Sequence, residues 1–78
     1  ANKALLGYGW AALSAQFYTE SLRPWQALVN RDPLDANVQE ALLALPYSLE
    51  KLQKNAQALI AYQGAETHFN LALSQVSN

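Results

Sequence analysis

One histidine, six carboxylates and five basic side chains carry all the ionic chemistry in this 78-residue sequence, and it contains no cysteine. His68 would need a carboxylate or a second ligand at helical spacing to act as a general base or to hold a metal. No carboxylate stands four residues from it with a further ligand close by, so it reads as a solvated histidine on a helix face. Asp32 and Asp35 straddle a turn, where carboxylates serve better as helix caps than as an acid and base pair. Glu50 and Lys54 are about one helical turn apart, which suits a surface ion pair near a helix end and nothing more. Gly7-Tyr8-Gly9 lacks the preceding strand and the following Lys-Ser or Lys-Thr of a phosphate loop. The sequence therefore presents no enzyme signature, no metal set and no cofactor motif.

Composition narrows the remaining classes. The lack of cysteine removes disulfides and thiolate sites but leaves cytoplasm and periplasm equally open. With a net charge of −1 and basic residues scattered singly, there is no electrostatic footprint for nucleic acid or anionic lipid. Apolar residues make up 51% of the chain and are mainly Ala and Leu, which favours helices over strands. An all-α domain is expected. At this length a fold buries only ~60 to 65% of its unfolded surface, so stability should be modest unless the chain packs against something else. No Met occurs anywhere, so residue 1 is not an initiator, and the chain reads as a processed product or part of a longer protein.

The elements that would position any site follow from periodicity. Ala4 to Ala15 is nearly all apolar, yet it is shorter than the ~20 residues of a membrane span and carries Gly7 and Gly9, so no membrane insertion is expected. Leu5, Tyr8 and Ala12 form one stripe of this helix, and Leu6, Trp10, Leu13 and Phe17 form the next, so it should be covered on two sides. Each interior glycine costs ~1 kcal/mol against alanine; the two either admit a close neighbouring helix or loosen the first turn. A second segment, from about Tyr18 to Arg31, sets Tyr18, Leu22, Trp25 and Val29 on one stripe. Pro24 inside it implies a distorted helix from Tyr18 or a later start capped by Ser21, and the first is preferred. Asp32-Pro33 should end it.

A third helix is expected from about Ala36 to Leu52, with Asp35 as N-cap and Asn37 with Glu40 as a competing start. Its stripe is Val38, Ala41, Leu42, Leu45, Leu49 and Leu52, and Pro46 predicts a kink. After a turn at Gln53-Lys54-Asn55, a fourth helix should run from about Asn55 to Ser74. Ala58, Tyr62, Ala65, Phe69, Ala72 and Val76 form a heptad seam along it, to be packed on another copy, on a further part of the protein, or back on the same domain.

Leu5, Gly9, Tyr18, Ser21, Trp25, Leu28 and Pro33 stand at the spacings of the tetratricopeptide repeat, which the chain thus resembles over one whole repeat. The same spacings return ~37 residues later with Leu42, Pro46, Asn55, Ala58, Tyr62 and Ala65, as internal repetition requires. The family's period is about 34 residues, and the extra three fall at Ala36-Asn37-Val38, close to one helical turn. Ser21 and Leu28 depart from the family's usual alanine, and Ala12 stands where an aromatic is common. The resemblance implies two antiparallel helix-turn-helix repeats, at about 2–33 and 36–70, in a solenoid fragment whose last helix extends over 70–76. A parent protein of bacterial repeat type is implied with it.

In that family the leading helix of each repeat lines a concave groove. The resemblance puts Leu6, Trp10, Leu13 and Ser14 there from the first repeat, and Glu40, Leu43, Tyr47, Glu50 and Lys51 from the second. The family's carboxylate clamp is not reproduced, because Leu6 and Trp10 stand where that clamp has polar groups. The expected function is therefore an adaptor that binds a protein or peptide partner through an apolar segment, with Trp and Tyr as anchors. The alternative is an oligomerisation element, a homodimer for instance, joined through open repeat edges and through Phe69, Ala72, Leu73 and Val76.

Overall fold

Straight-chain and small residues fill most of the chain, and four helices result: α1 (Asn2–Ser14), α2 (Tyr18–Leu28), α3 (Ala36–Lys51) and α4 (Asn55–Ser77). The structure is a computed structural model that describes residues 1–77, none of which lies in a strand. The protein is all-α, as its composition implies. α1 packs on α2, α2 on α3 and α3 on α4, and α1 also lies against α3. Among the described residues, α4 approaches no helix except α3. The molecule is a slab of 41 × 29 × 14 Å, thin enough for about two helix layers at the usual ~8–10 Å separation. The outer faces of α1 and α4 form its edges.

α1 and α3 end in the same way. After α1, Phe17 N–H donates to the Ala12 carbonyl (2.8 Å) and Gln16 N–H to Leu13 (2.9 Å); after α3, Lys54 donates to Leu49 (2.9 Å) and Gln53 to Glu50 (2.9 Å). This paired closure is a Schellman turn, which requires one residue in the left-handed region. Gln16 (φ 66°) and Gln53 (φ 60°) provide it, at the same ~37-residue offset that relates the two halves of the sequence. α1 has 13 residues and α3 has 16, so with their ends aligned the additional turn lies at the start of α3. Ala36-Asn37-Val38 fill that turn, and Asp35 Oδ1 caps it by accepting from Asn37 N at 2.7 Å.

Other boundaries differ from the sequence expectation. α2 ends at Leu28 rather than near Arg31: Arg31 N–H turns back to the Leu28 carbonyl at 2.9 Å, and Asp32 Oδ1 accepts from Leu34 N at 3.0 Å. The chain has thus left the helix before Asp32-Pro33 is reached. The start of α2 at Tyr18 is the preferred one, so Ser21 is interior to the helix rather than its cap, and its hydroxyl donates to the Tyr18 carbonyl at 2.6 Å. Pro24 and Pro46 lie inside α2 and α3, with both rings buried. α4 continues to Ser77, past the expected Ser74.

Trp25 is the centre of the core. It is fully buried with Leu28, Val38, Ala41, Leu42, Ala44 and Ala65, and Leu5, Leu6, Leu22, Val29, Leu45 and Phe69 pack around them. Trp25 Nε1–H donates to Ser48 Oγ at 2.9 Å, and the Ser48 and Ser21 hydroxyls share a hydrogen bond of 3.0 Å. Every donor is used once when the protons run from Trp25 to Ser48, from Ser48 to Ser21 and from Ser21 to the Tyr18 carbonyl. No buried side-chain polar atom is left without a partner among the described residues. The most buried line on α2 is therefore Ser21, Trp25 and Leu28, one step round from the predicted stripe. α1 is covered on one side only: Gly9 and Leu13 are buried, while Tyr8, Ala11 and Ala15 face outward.

The two glycines of α1 answer differently. A Cβ on Gly9 would stand 2.5 Å from two atoms of the Trp25 ring, whereas one on Gly7 would meet nothing within 4 Å. Gly7→Ala should raise stability by about 1 kcal/mol through helix propensity alone. Gly9→Ala should lower it by about 1–3 kcal/mol, because a buried and hydrogen-bonded indole has to shift. Denaturant midpoints at constant m-value will show opposite signs for the pair. Gln16→Gly and Gln53→Gly should each raise the midpoint, by about 1 kcal/mol, since only glycine occupies the left-handed region without strain.

Candidate functional site

Where α1 and α3 lie side by side they leave a concavity of about 450 Å³, lined by Trp10, Leu13, Ser14, Gln16, Tyr18, Tyr47 and Lys51. Gly9 decides which way Trp10 faces. By letting the Trp25 ring close against the α1 backbone, it sets the two indoles edge to face, with centroids 5.2 Å apart and planes at 69°. Trp10 Nε1–H then reaches across to α3 and donates to Glu40 Oε2. The ring stays 37% exposed, and Tyr47 opposite is 43% exposed. Lys51 Nζ sits 5.3 Å above the Tyr47 ring, in cation–π range.

Five of the residues expected in a groove thus share one concavity: Trp10, Leu13, Ser14, Tyr47 and Lys51. Glu40 adjoins it through its bond with Trp10, and Leu43, exposed on α3, continues the stripe of Glu40, Tyr47 and Lys51 at helical spacing. Two residues lie elsewhere. Leu6 is half-buried and packs on the core around Trp25. Glu50, next round the helix from Tyr47, turns toward α4 and accepts the Tyr62 hydroxyl, not a surface bond from Lys54. Gln16 and Tyr18 join the lining without having been expected there. Their signal is the turn itself, because a left-handed residue after α1 brings the first residue of α2 back over the end of the groove.

The heptad seam of α4 is occupied from within over part of its length. Ala58, Ala65 and Ala72 are buried and Phe69 packs on the core, so the fold-back reading of this helix holds for them. Leu73 and Val76 are exposed beside Leu34 and Asn70. His68 Nδ1 is 2.8 Å from the Gly64 carbonyl, which calls for the Nδ1–H tautomer and ties the ring to its own helix. Asp35, capping α3, also accepts from Asn2 Nδ2 at 3.2 Å, and Asn2 Oδ1 accepts from Arg31. The bond from Asn37 N, and then that from Asn2, holds the Asp35 carboxyl below its ordinary value.

No group of three or more His, Cys, Asp or Glu that could hold a metal occurs among the described residues. No helix among them is long and apolar enough to cross a membrane. No protein-family model matches the chain, and comparison with curated proteins and with solved structures finds no match.

Tyr62 offers a spectroscopic handle on the α3–α4 contact. Its hydrogen bond to Glu50 raises the phenol above the ordinary value near 10, with burial and the Glu50 charge adding to the shift. A raised folded pKa stabilises below the unfolded value and is lost as pH rises through the folded one. Tyrosinate absorbance should therefore contain a late component that Tyr62→Phe deletes and Glu50→Gln moves to lower pH. Wild type should lose its stability advantage over Tyr62→Phe as the pH climbs past ~10.

Proposed function

We propose that this chain is a protein-interaction module of two stacked helix pairs, of the tetratricopeptide kind, that receives an apolar peptide segment between α1 and α3. One observation carries the reading. Trp10 and Tyr47 occupy equivalent places in the two halves, at the ~37-residue offset, and open into a single concavity with both rings partly exposed. Two rigid aromatics in one hollow are the commonest anchors of a protein contact, since they bury a large area at little cost in side-chain entropy. The matching Schellman turns and the contact of α1 with α3 support the stacked arrangement.

The lining also suggests the character of the segment. Lys51 alone among the described lining residues is charged, so a carboxylate next to the apolar stretch would find its counter-charge there. Glu40 is engaged with the Trp10 indole and discourages a second anion at the other end.

Trp10 itself reports binding, because Trp25 is already fully buried and the loss of solvent exposure on filling the concavity falls on Trp10. Titration with short tryptophan-free peptides, apolar in the middle and bearing Asp or Glu at one end, should shift the emission to the blue and saturate. Tyr47→Ala should weaken the best peptide by about 30-fold, the loss of a ~2 kcal/mol anchor, with far-ultraviolet dichroism unchanged. An emission that no peptide moves, or an affinity that Tyr47→Ala leaves within about twofold, refutes the proposal.

A further inference from the structure

We propose that copies of this chain associate head to tail, the outer face of α4 on one copy seating the outer face of α1 on the next, in the register that joins α2 to α3 inside each molecule. The template is the contact of α2 with α3. On α3, the small-residue stripe Ala41, Ala44 and Ser48 is buried, and Ser48 is bonded to Ser21 and Trp25 of α2. The residues at the same places on α1 are Ala4, Gly7 and Ala11, and all three are exposed. Gly7 has only open space around it.

The other half of the interface recurs at the opposite edge. On α2, Trp25 is fully buried and Leu22 packs on the core. Their counterparts on α4 are Tyr62, 40% exposed, and Leu59, 59% exposed. A groove of about 220 Å³, lined by Glu50, Asn55, Ala58, Leu59 and Tyr62, opens beside them. The small half of an occupied internal contact is thus repeated, exposed, on one edge of the slab, and Leu59 and Tyr62 of the bulky half are exposed on the other, while Ala58, the counterpart of Ser21, is already buried. The bulky side chains are on one edge and the small ones on the other, as in the template.

The polar groups agree with this occupant. Ser48 receives the indole N–H of Trp25, but its counterpart Ala11 has no acceptor side chain. Tyr62 does not need one, because its hydroxyl already donates to Glu50 of its own molecule. Covering the ring strands no donor. The two patches differ, so the contact is heterologous and propagates into chains or closes into a ring. Neither Trp10 nor Tyr47 is substituted in the test below, so the association is read independently of peptide binding.

Sedimentation velocity across a concentration series should show the mass rising past that of a dimer. Gly7→Arg and Leu59→Arg should each be monomeric at every concentration, with helicity retained, and Ala11→Arg should match Gly7→Arg as a second block of the α1 edge. An equimolar mixture of Gly7→Arg and Leu59→Arg should then form a dimer and nothing larger, because each variant retains the edge the other lacks. A wild type that stays monomeric, as it would if only a foreign helix fits these edges, overturns the proposal. So does a Gly7→Arg variant that still dimerises, the mark of a symmetric α4–α4 contact, or a mixture that does not associate.

Discussion

A buried indole must have a partner for its N–H and room for its rings, and this protein meets both needs for Trp25 with single residues from different helices. Ser48 of α3 accepts the proton, and Gly9 of α1 gives the space. Those two demands are made by one side chain of α2, so the positions of α1 and α3 relative to α2 are set together rather than pair by pair. A donor left unpaired at such a depth costs about 1–3 kcal/mol, a large share of what a domain this small can hold in reserve. The hydroxyls of Ser48 and Ser21 carry the proton chain on to a backbone carbonyl, so the polar thread through the core ends without a loose donor.

The concavity is a by-product of that arrangement. Once Trp25 lies flush with α1 at Gly9, the next residue, Trp10, is turned sideways toward α3, where its own N–H meets Glu40. Asn2, held between Asp35 and Arg31, ties the start of α1 to the start of α3 and keeps the two leading helices side by side. The Trp10 ring that faces the hollow is therefore backed by the core.

Much of the fold was legible because helix periodicity and capping are local. Four helices, the start of α3 behind Asp35 and the start of α4 at Asn55 follow from spacing and from one capping carboxylate, and the three residues added to α3 were implied by the resemblance. Gly9, too, could be read as a place of close approach. What escaped depends on contacts between distant residues. A turn was expected at Gln53, but nothing in a glutamine announces a left-handed residue, so the form of the turns at Gln16 and Gln53 was silent, and with it the return of Tyr18 over the groove. Two serines at the centre of the core run against hydrophobic patterning, and only their bonds to Trp25 and to each other explain them. Leu6 and Glu50 left the expected groove because one helix position, about 100°, separates a side chain that lines the hollow from one that faces a neighbouring helix.

α4 shows how an apolar helix divides its faces when only one neighbour is at hand. Its buried line is Ala58, Ala65 and Ala72, small residues that let the helix come close to α3, while Leu59, Ile60, Leu71 and Val76 remain outside. Burying the small residues and exposing the large ones makes little sense for a fold judged alone, since apolar stabilisation grows with area at about 25 cal/mol per Å². Backbone proximity to α3 is what brings Tyr62 against Glu50, and the large side chains are left on the outer face. Anything that binds that face in the folded state only would add its binding energy to the stability of the whole, and α4 would pass the gain to α3 and so to the wall of the concavity.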